Sequence, residues 1–254
     1  TADNVANTAK VILNAGDDVV VTTATGTVTS DTSITINVEE SVDADGNATA
    51  DGSNLDPGSG GQVTVDGSKI LLTAPGGTVI RSGADATAPG DSDIFNITPQ
   101  EFSAITVFGL NPVLPTTPGD TLNMNFAIPP LIAADLPPTL TIGVPGAGVY
   151  SFPVASGLET VTYFSIEDVN AAGAYHLVLN GALAGSYGDD TIDVNDMADE
   201  IRVSLSGTDL VLERTGPNDP DFSPAVPPVP HNWIGELFRG NIANILSLTI
   251  EGTD

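Results

Sequence analysis

The sequence predicts an all-β protein, and three observations predict it. Short runs rich in Val, Ile, Leu and Thr recur along the whole chain, Gly, Pro, Asp and Asn punctuate them, and helical periodicity is almost absent. In order, the strand candidates are "VVVTTATGTVT" (19–29), "SITINVEE" (33–40), "GQVTVDGSKILLTA" (61–74), "AITVFGL" (104–110), "TLNMNF" (121–126) and "TLTIGV" (139–144). "AYHLVLN" (174–180), "EIRVSLSGTDLVLE" (200–213) and "ILSLTIEG" (245–252) follow. Only "DVNDMADEI" (193–201) and "WIGELFRGNIANIL" (233–246) read as helical turns. "VTVDGSKILLT" and "VSLSGTDLVLE" share a plan of strand, Gly-containing turn and strand, which makes each a hairpin or a pair of short rungs.

Proline donates no ladder hydrogen bond, so the segments "PTTPGD", "AIPPLIAADLPPT" and "GPNDPDFSPAVPPVPHNW" interrupt pairing. They place candidate boundaries near 127–138 and 215–232. The division expected is an acidic-turn β region over 1–126 and a second β region with Pro-rich loops over 127–254, with one continuous domain as the alternative.

Charge narrows the partners. Against 33 acidic residues stand six basic ones, for a formal net charge of −27. Such a field repels phosphate backbones and anionic lipid, so nucleic acid is excluded as a partner, and cations are favoured. No run approaches the ~18 apolar residues of a membrane span. Hydrophobic residues make up 41% of a chain long enough to bury a core, unlike a disordered acidic tail. With no cysteine there is no disulfide framework. Residues 1–15 lack the features of a signal peptide, and the chain reads as a piece that follows an export signal.

One pattern recurs: "GDDVVVT" (16–22), "DSDIFNIT" (91–98), "GDTLNMN" (119–125) and "GDDTIDVN" (188–195) each set aspartates just before an alternating strand. The spacing is unequal, which excludes a strict short period yet suggests one recurring unit, an acidic turn feeding a strand. Turn carboxylates with nearby carbonyls supply the hard oxygens that calcium prefers, which makes Asp17, Asp18, Asp91, Asp93, Asp120, Asp189, Asp190 and Asp193 candidate ligands. The alternative is that Asp and Gly simply make good, soluble turns. In "DADGNATADGSNLD", Asp43, Asp45, Asn47, Thr49 and Asp51 fall at alternate positions of a calcium-loop spacing. Gly46 stands where the fourth residue falls instead of the sixth, Asn54 replaces the bidentate Glu, and no helices flank the loop, so it is no EF-hand. A strand-flanked loop can still hold calcium with Asp56, which keeps Asp43, Asp45, Asn47 and Asp51 as candidate ligands beside the reading as a solvated loop.

The stretch "DSDIFNITPQEFSAITVFGLNPVLPTTPGDTLNMNF", with "GVYSFPVASGLETVTYFSIEDVN" after it, resembles repeat units of very large bacterial cell-surface and secreted proteins of the hemolysin-type calcium-binding or adhesin-like kind. Asp93, Phe95, Asn96, Thr98 and Pro99 match the phrase D-x-F-N-[IV]-T-P of those arrays. Ile105 to Gly109 match [IV]-T-[IV]-x-G, and Pro118, Gly119, Asp120 and Leu122 match P-G-D-x-L. The resemblance covers roughly residues 85 to 170 and implies an extracellular β-rich repeat, not an enzyme. There is no tandem G-G-x-G-x-D-x-U-x nonapeptide, so that family's site geometry is not carried over.

The competing reading is a β-helical polysaccharide lyase or hydrolase. A lyase needs a cationic or calcium-assisted site, and the basic residues here are few and scattered; a hydrolase needs paired carboxylates beside an aromatic sugar platform, and aromatic residues are 5% of the chain. Neither Ser151, Ser156 nor Ser165 has a G-x-S-x-G setting, and His176 reads as a packed or edge side chain. His231 and Trp233 adjoin the last Pro-rich run, whose default role is docking on the body. No catalytic residue is assigned.

The expectation is therefore a calcium-stabilised, extracellular, structural or adhesive module of the bacterial cell surface, built as a β-solenoid or β-helix-like stack, with stacked β-sandwich domains as the alternative. Joined end to start, "LTIEGTD" and "TADNVANTAKVILNAGDD" read continuously, which suggests one period of a longer array assembled head to tail; arbitrary or ordinary domain ends would look the same. Its partners would be calcium ions and neighbouring copies or repeats, with a surface glycan as a further candidate.

Overall fold

The computed structural model describes residues 9–15, 18–20, 26–38, 60–82, 92–109, 119–126, 136–144, 146–180, 201–215 and 233–251. Its strands are β1 Val11–Ala15, β2 Val19–Val20, β3 Gly26–Thr29, β4 Ile34–Val38, β5 Gln62–Val65, β6 Ile70–Thr73, β7 Thr78–Arg81, β8 Ile94–Ile97, β9 Ile105–Phe108 and β10 Thr121–Asn125. There follow β11 Thr139–Val144, β12 Ala147–Ser151, β13 Val161–Phe164, β14 Asp168–Ala172, β15 Tyr175–Asn180, β16 Ile201–Ser206, β17 Asp209–Thr215, β18 Trp233–Asn241 and β19 Ile245–Glu251. The all-β class holds: among the described residues the only helical turns are 3-10 turns at Val154–Ser156 and Ile242–Asn244, and no helix is long and apolar enough to cross a membrane.

The chain visits its sheets in rotation. β1, β2 and β3 belong to three different sheets, and β4, β5 and β6 repeat that order, each parallel to its predecessor. β7 and β8 continue the first two sheets, and Phe102 takes the third place through a parallel bridge to Thr73. β9 and β10, then β13 and β14, add two further parallel tiers. Strands on either side of residues 127–138 thus share both of these sheets.

Parallel, in-register pairing stacks like on like, and this is why β-branched residues dominate. On the first sheet Val11, Ile34, Thr78, Ile105 and Val161 form one inward column, and Leu13, Ile36, Ile80, Val107 and Tyr163 the next. On the second, Val19, Val63, Phe95, Leu122 and Val169 stack beside Val65, Ile97, Met124 and Ala171. These columns supply much of the core, and Ile34, Val63, Phe95, Leu122 and Val161 are fully buried. Thr78 is the polar member, and its hydroxyl lies 2.7 Å from that of Ser103, so the buried oxygen is satisfied.

Outward columns carry polar ladders. Asn37 donates to Asn14 at 2.8 Å, Asn123 to Asn96 at 3.0 Å, and Asn96 to Thr64 at 3.2 Å. The Asn14–Asn37 column continues through Arg81, whose guanidinium lies 5.2 Å from the Phe108 ring centre, to the stacked pair Phe108–Phe164.

The regular order ends at a hairpin. β11 and β12 are antiparallel, β12 runs antiparallel along β13, and β11 leads in parallel to β15 and β19, completing a nine-stranded sheet. Phe126, Tyr150, Phe152 and Tyr175 fill the interior there, with ring centres 5.8–6.4 Å apart. A separate antiparallel sheet, β16–β17–β18, packs β18 against β14.

Two sequence expectations change. Residues 233–241 form strand β18, not a helical turn, because the run pairs along β17 and buries Leu237 and Phe238. Residues 193–200 lie outside the described residues. The two look-alike strand-turn-strand phrases also diverge. "VSLSGTDLVLE" is a true hairpin whose two-residue turn places Gly207 at φ 66°, whereas β5 and β6 never pair and belong to different sheets. Between them Asp66 accepts both the Ser68 N–H at 2.9 Å and its hydroxyl at 2.7 Å, which fixes a corner instead of a reversal.

Candidate functional site: an acidic corner

The corner between the first and second sheets gathers the acidic turns. Asp18 immediately precedes β2, Asp93 precedes β8, Asp120 precedes β10 and Glu167 precedes β14, and all four strands lie in one sheet. "GDDTIDVN" lies outside the described residues; for the phrases that hold Asp18, Asp93 and Asp120 the recurrence in sequence is therefore a recurrence in space. Its unequal spacing has a simple origin: the chain between first-sheet and second-sheet strands is short from Ala15 to Val19 and from Phe164 to Asp168, and long from Val38 to Gln62.

Each carboxylate is tied to the neighbouring tier. The Gly61 N–H donates to Asp93 Oδ1 at 2.7 Å, the Asp93 N–H to Asp120 Oδ1 at 2.9 Å, and the Asp120 N–H to Glu167 Oε2 at 2.8 Å. On the far side, the Gln62 N–H donates to Asp18 Oδ1 at 2.8 Å. Among the described residues the tier of β5 has no acid of its own at the corner, and it is capped from both neighbours. Backbone carbonyls complete the link, since Asp93 O accepts from Thr121 and Asp120 O from both Glu167 and Asp168.

This arrangement follows from the backbone. Where a parallel strand bends into the next sheet its N–H groups leave the ladder, and a buried donor left unmade costs ~1–3 kcal/mol. A carboxylate one residue before each strand accepts that donor in a charge-assisted bond. Asp93 and Asp120 are only 1% and 0% exposed, so the bonds form away from water.

Close packing at the corner demands small residues. A Cβ on Gly109 would strike the Asp120 carboxylate and the Ser165 carbonyl, and one on Gly119 would sit 2.5 Å from the Glu167 Cβ. The short turn Ser165–Glu167 holds Ser165 at φ 54°, a left-handed conformation uncommon for a residue with a side chain. Beside it lies a small crevice lined by Gly146, Tyr163, Glu167, Val169, Glu236 and Arg239, with room for about one water. Arg239 donates there to both Glu236 oxygens, at 2.9 and 2.6 Å, and those bonds raise its pKa further.

Of the residues expected to bind calcium, Asp18, Asp93 and Asp120 are described and share this corner. Asp17, Asp43, Asp45, Asn47, Asp51, Asp91, Asp189, Asp190 and Asp193 lie outside the described residues. Among the described residues no group of three or more His, Cys, Asp or Glu side chains is arranged to hold a metal ion. Glu167 escaped the sequence reading because "SIEDVN" has no Gly-Asp pair; an acid immediately before a strand was the usable signal.

Of the other residues weighed, His231 lies outside the described residues, and His176 and Ser156 make local hydrogen bonds. His176 Nδ1 lies 2.7 Å from the Ser247 hydroxyl across β15 and β19, and Ser156 donates to the Pro153 carbonyl at 2.6 Å. No protein-family model, curated protein or solved structure matches the chain.

Proposed function

We propose that this chain is a β-solenoid module of an extracellular structural or adhesive surface protein, stabilised by calcium at its acidic turns and used in repeating arrays on the bacterial cell surface. Parallel, in-register pairing through successive tiers favours a solenoid over stacked sandwiches, whose sheets are antiparallel. The observation that carries the reading is the alignment of Asp18, Asp93 and Asp120 at one corner.

Carboxylates one strand spacing apart, about 4.8 Å, repel by roughly 3 kcal/mol at an effective dielectric of about 20. Backbone donors offset part of that repulsion, and a divalent cation held by the adjoining turn aspartates offsets more. On this reading the acidic turns supply the calcium oxygens, and Asp18, Asp93 and Asp120, which also cap the tiers, are their described members. The module has no catalytic role; its work is to present a stiff, acidic, β-rich surface to neighbours or to a glycan.

The test is thermal unfolding with millimolar calcium and with EDTA at matched ionic strength, with sodium and magnesium as controls. A ligand that binds only the folded chain raises its stability by mass action. A higher Tm in calcium alone supports the reading, and coincident curves in all four conditions overturn its calcium component.

A further inference from the structure

The nine-stranded sheet has β1 at one edge and β19 at the other, and both edges are parallel-paired on their inner side. Burial falls away at both. Ile34, Ile36 and Val38 on β4 are 0–2% exposed, whereas their column neighbours Val11, Leu13 and Ala15 on β1 are only partly covered. Leu177 and Leu179 on β15 are likewise 0% and 2% exposed, while Leu248 beside the first is partly covered and Ile250 beside the second is 48% exposed. Among the described residues no strand pairs with the outer side of either one. The apolar columns are thus cut across at two places with the same strand polarity.

We propose that β19 of one copy receives β1 of a second copy as its next parallel strand, with Leu248 against Val11 and Ile250 against Leu13. Three features select this occupant. A parallel partner continues the pattern found inside both edges, whereas two β19 strands related by a two-fold axis would have to run antiparallel. In the chosen register apolar residue meets apolar residue on the inner face, and Thr249 and Ile12 share the outer face. In a chain of charge −27, β1 carries no charge and β19 only its last residue, Glu251, which in this register meets Asn14, so the contact meets little of the repulsion that opposes association elsewhere. Because the two surfaces differ, the contact is heterologous and repeats without closing. It deepens the array reading above by naming the partner strands, but it depends on neither calcium nor the acidic corner.

The chain has no cysteine, which permits a clean cross-linking test. The Ile12→Cys/Thr249→Cys double variant, oxidised at increasing concentration with and without calcium, is expected to give a non-reducing ladder of dimer, trimer and higher species. A control pairing Ile12→Cys with Val154→Cys, a site 98% exposed and away from both edges, should give no such ladder. Ile250→Lys places a charge on the exposed edge and should raise the concentration needed for assembly by at least roughly tenfold, with unchanged circular dichroism and Tm showing that the fold survives. Cross-linking by Thr249→Cys alone into a dimer, or monomers throughout, overturns the proposal. Either result would leave a calcium-dependent rise in Tm untouched, so failure here is distinguishable from failure of the module reading.

Discussion

The backbone N–H of Asp93 donates at 2.9 Å to the side chain of Asp120, which lies directly beside it one tier further along the same sheet. The Asp120 N–H in turn donates to Glu167 at 2.8 Å. Each of these carboxylates therefore does two things: it closes a donor exposed by the bend, and it fixes the register of neighbouring strands.

That relationship sets the first prediction. Asp120→Ala leaves the buried Asp93 N–H without its acceptor and should destabilise the protein by about 2–4 kcal/mol, the cost of an orphaned donor plus a lost charge-assisted bond. Asp120→Asn keeps an oxygen at Oδ1 and should cost less than half as much. Urea unfolding at a common m-value measures both. Equal losses for the two variants would mean that charge, not the acceptor, is what the corner requires.

The glycine opposite Asp120 yields the second. Gly109→Ala pushes a methyl group into the Asp120 carboxylate and the Ser165 carbonyl, neither of which is the loose end of a long side chain. Overpacking of this kind costs about 1–3 kcal/mol. Gly26→Ala, at a position with open space around it, is the control and should change stability by less than about 1 kcal/mol.

How much of this was legible in the sequence depends on distance along the chain. The strands "TLNMNF" and "AYHLVLN" announce themselves by alternation, because one face of each is buried and the other is not. β14, "DVNAA", was missed because short Ala- and Asn-containing runs lack that contrast and gain their strand character from pairing with β10. The run 233–246 has enough apolar residues for a helix; the partner β17 makes a strand of 233–241, and a helical turn survives only as the 3-10 turn Ile242–Asn244. At the corner, the Gly-Asp phrases revealed Asp93 and Asp120 but not that Asp18, seventy-five residues before Asp93, would cap the same intervening tier. That fact resides in register, which no local pattern encodes.

Alkaline pH probes the interior independently. Tyr150, Tyr163 and Tyr175 are buried, and burial first, then the fields of neighbouring tyrosines for the first two, raises their pKa values above the ordinary value near 10. A raised folded pKa contributes stability that is complete below the unfolded pKa and is lost as pH climbs from there towards the folded values. Stability should thus be level with respect to these groups up to about pH 9 and fall steeply above pH 10 as the unfolded chain ionises. Tyrosinate absorbance should show these three groups ionising only together with loss of circular dichroism. Reversible ionisation of three or more tyrosines near pH 10 in the folded protein would contradict the packing of Phe126, Tyr150 and Tyr175.

The last prediction concerns the outer ladder. Phe108 and Phe164 stack at 5.2 Å with an interplanar angle of 16°, and Arg81 lies over the other side of the Phe108 column position. Both rings stand on the outward face, with Phe164 40% exposed, so little of their effect comes from filling the core. Their value lies in coupling tiers, because each ring covers the next along the column. A double-mutant cycle of Phe108→Ala and Phe164→Ala should therefore give a coupling of about 0.5–1.5 kcal/mol, the range for stacked aromatic pairs. Replacing Arg81 by Leu keeps the aliphatic cover but removes the cation, and should lower stability by roughly 0.5–1 kcal/mol when Phe108 is present and by less once it is Ala. Coupling near zero in both cycles would show that the outer column is a consequence of in-register stacking and contributes nothing to holding it.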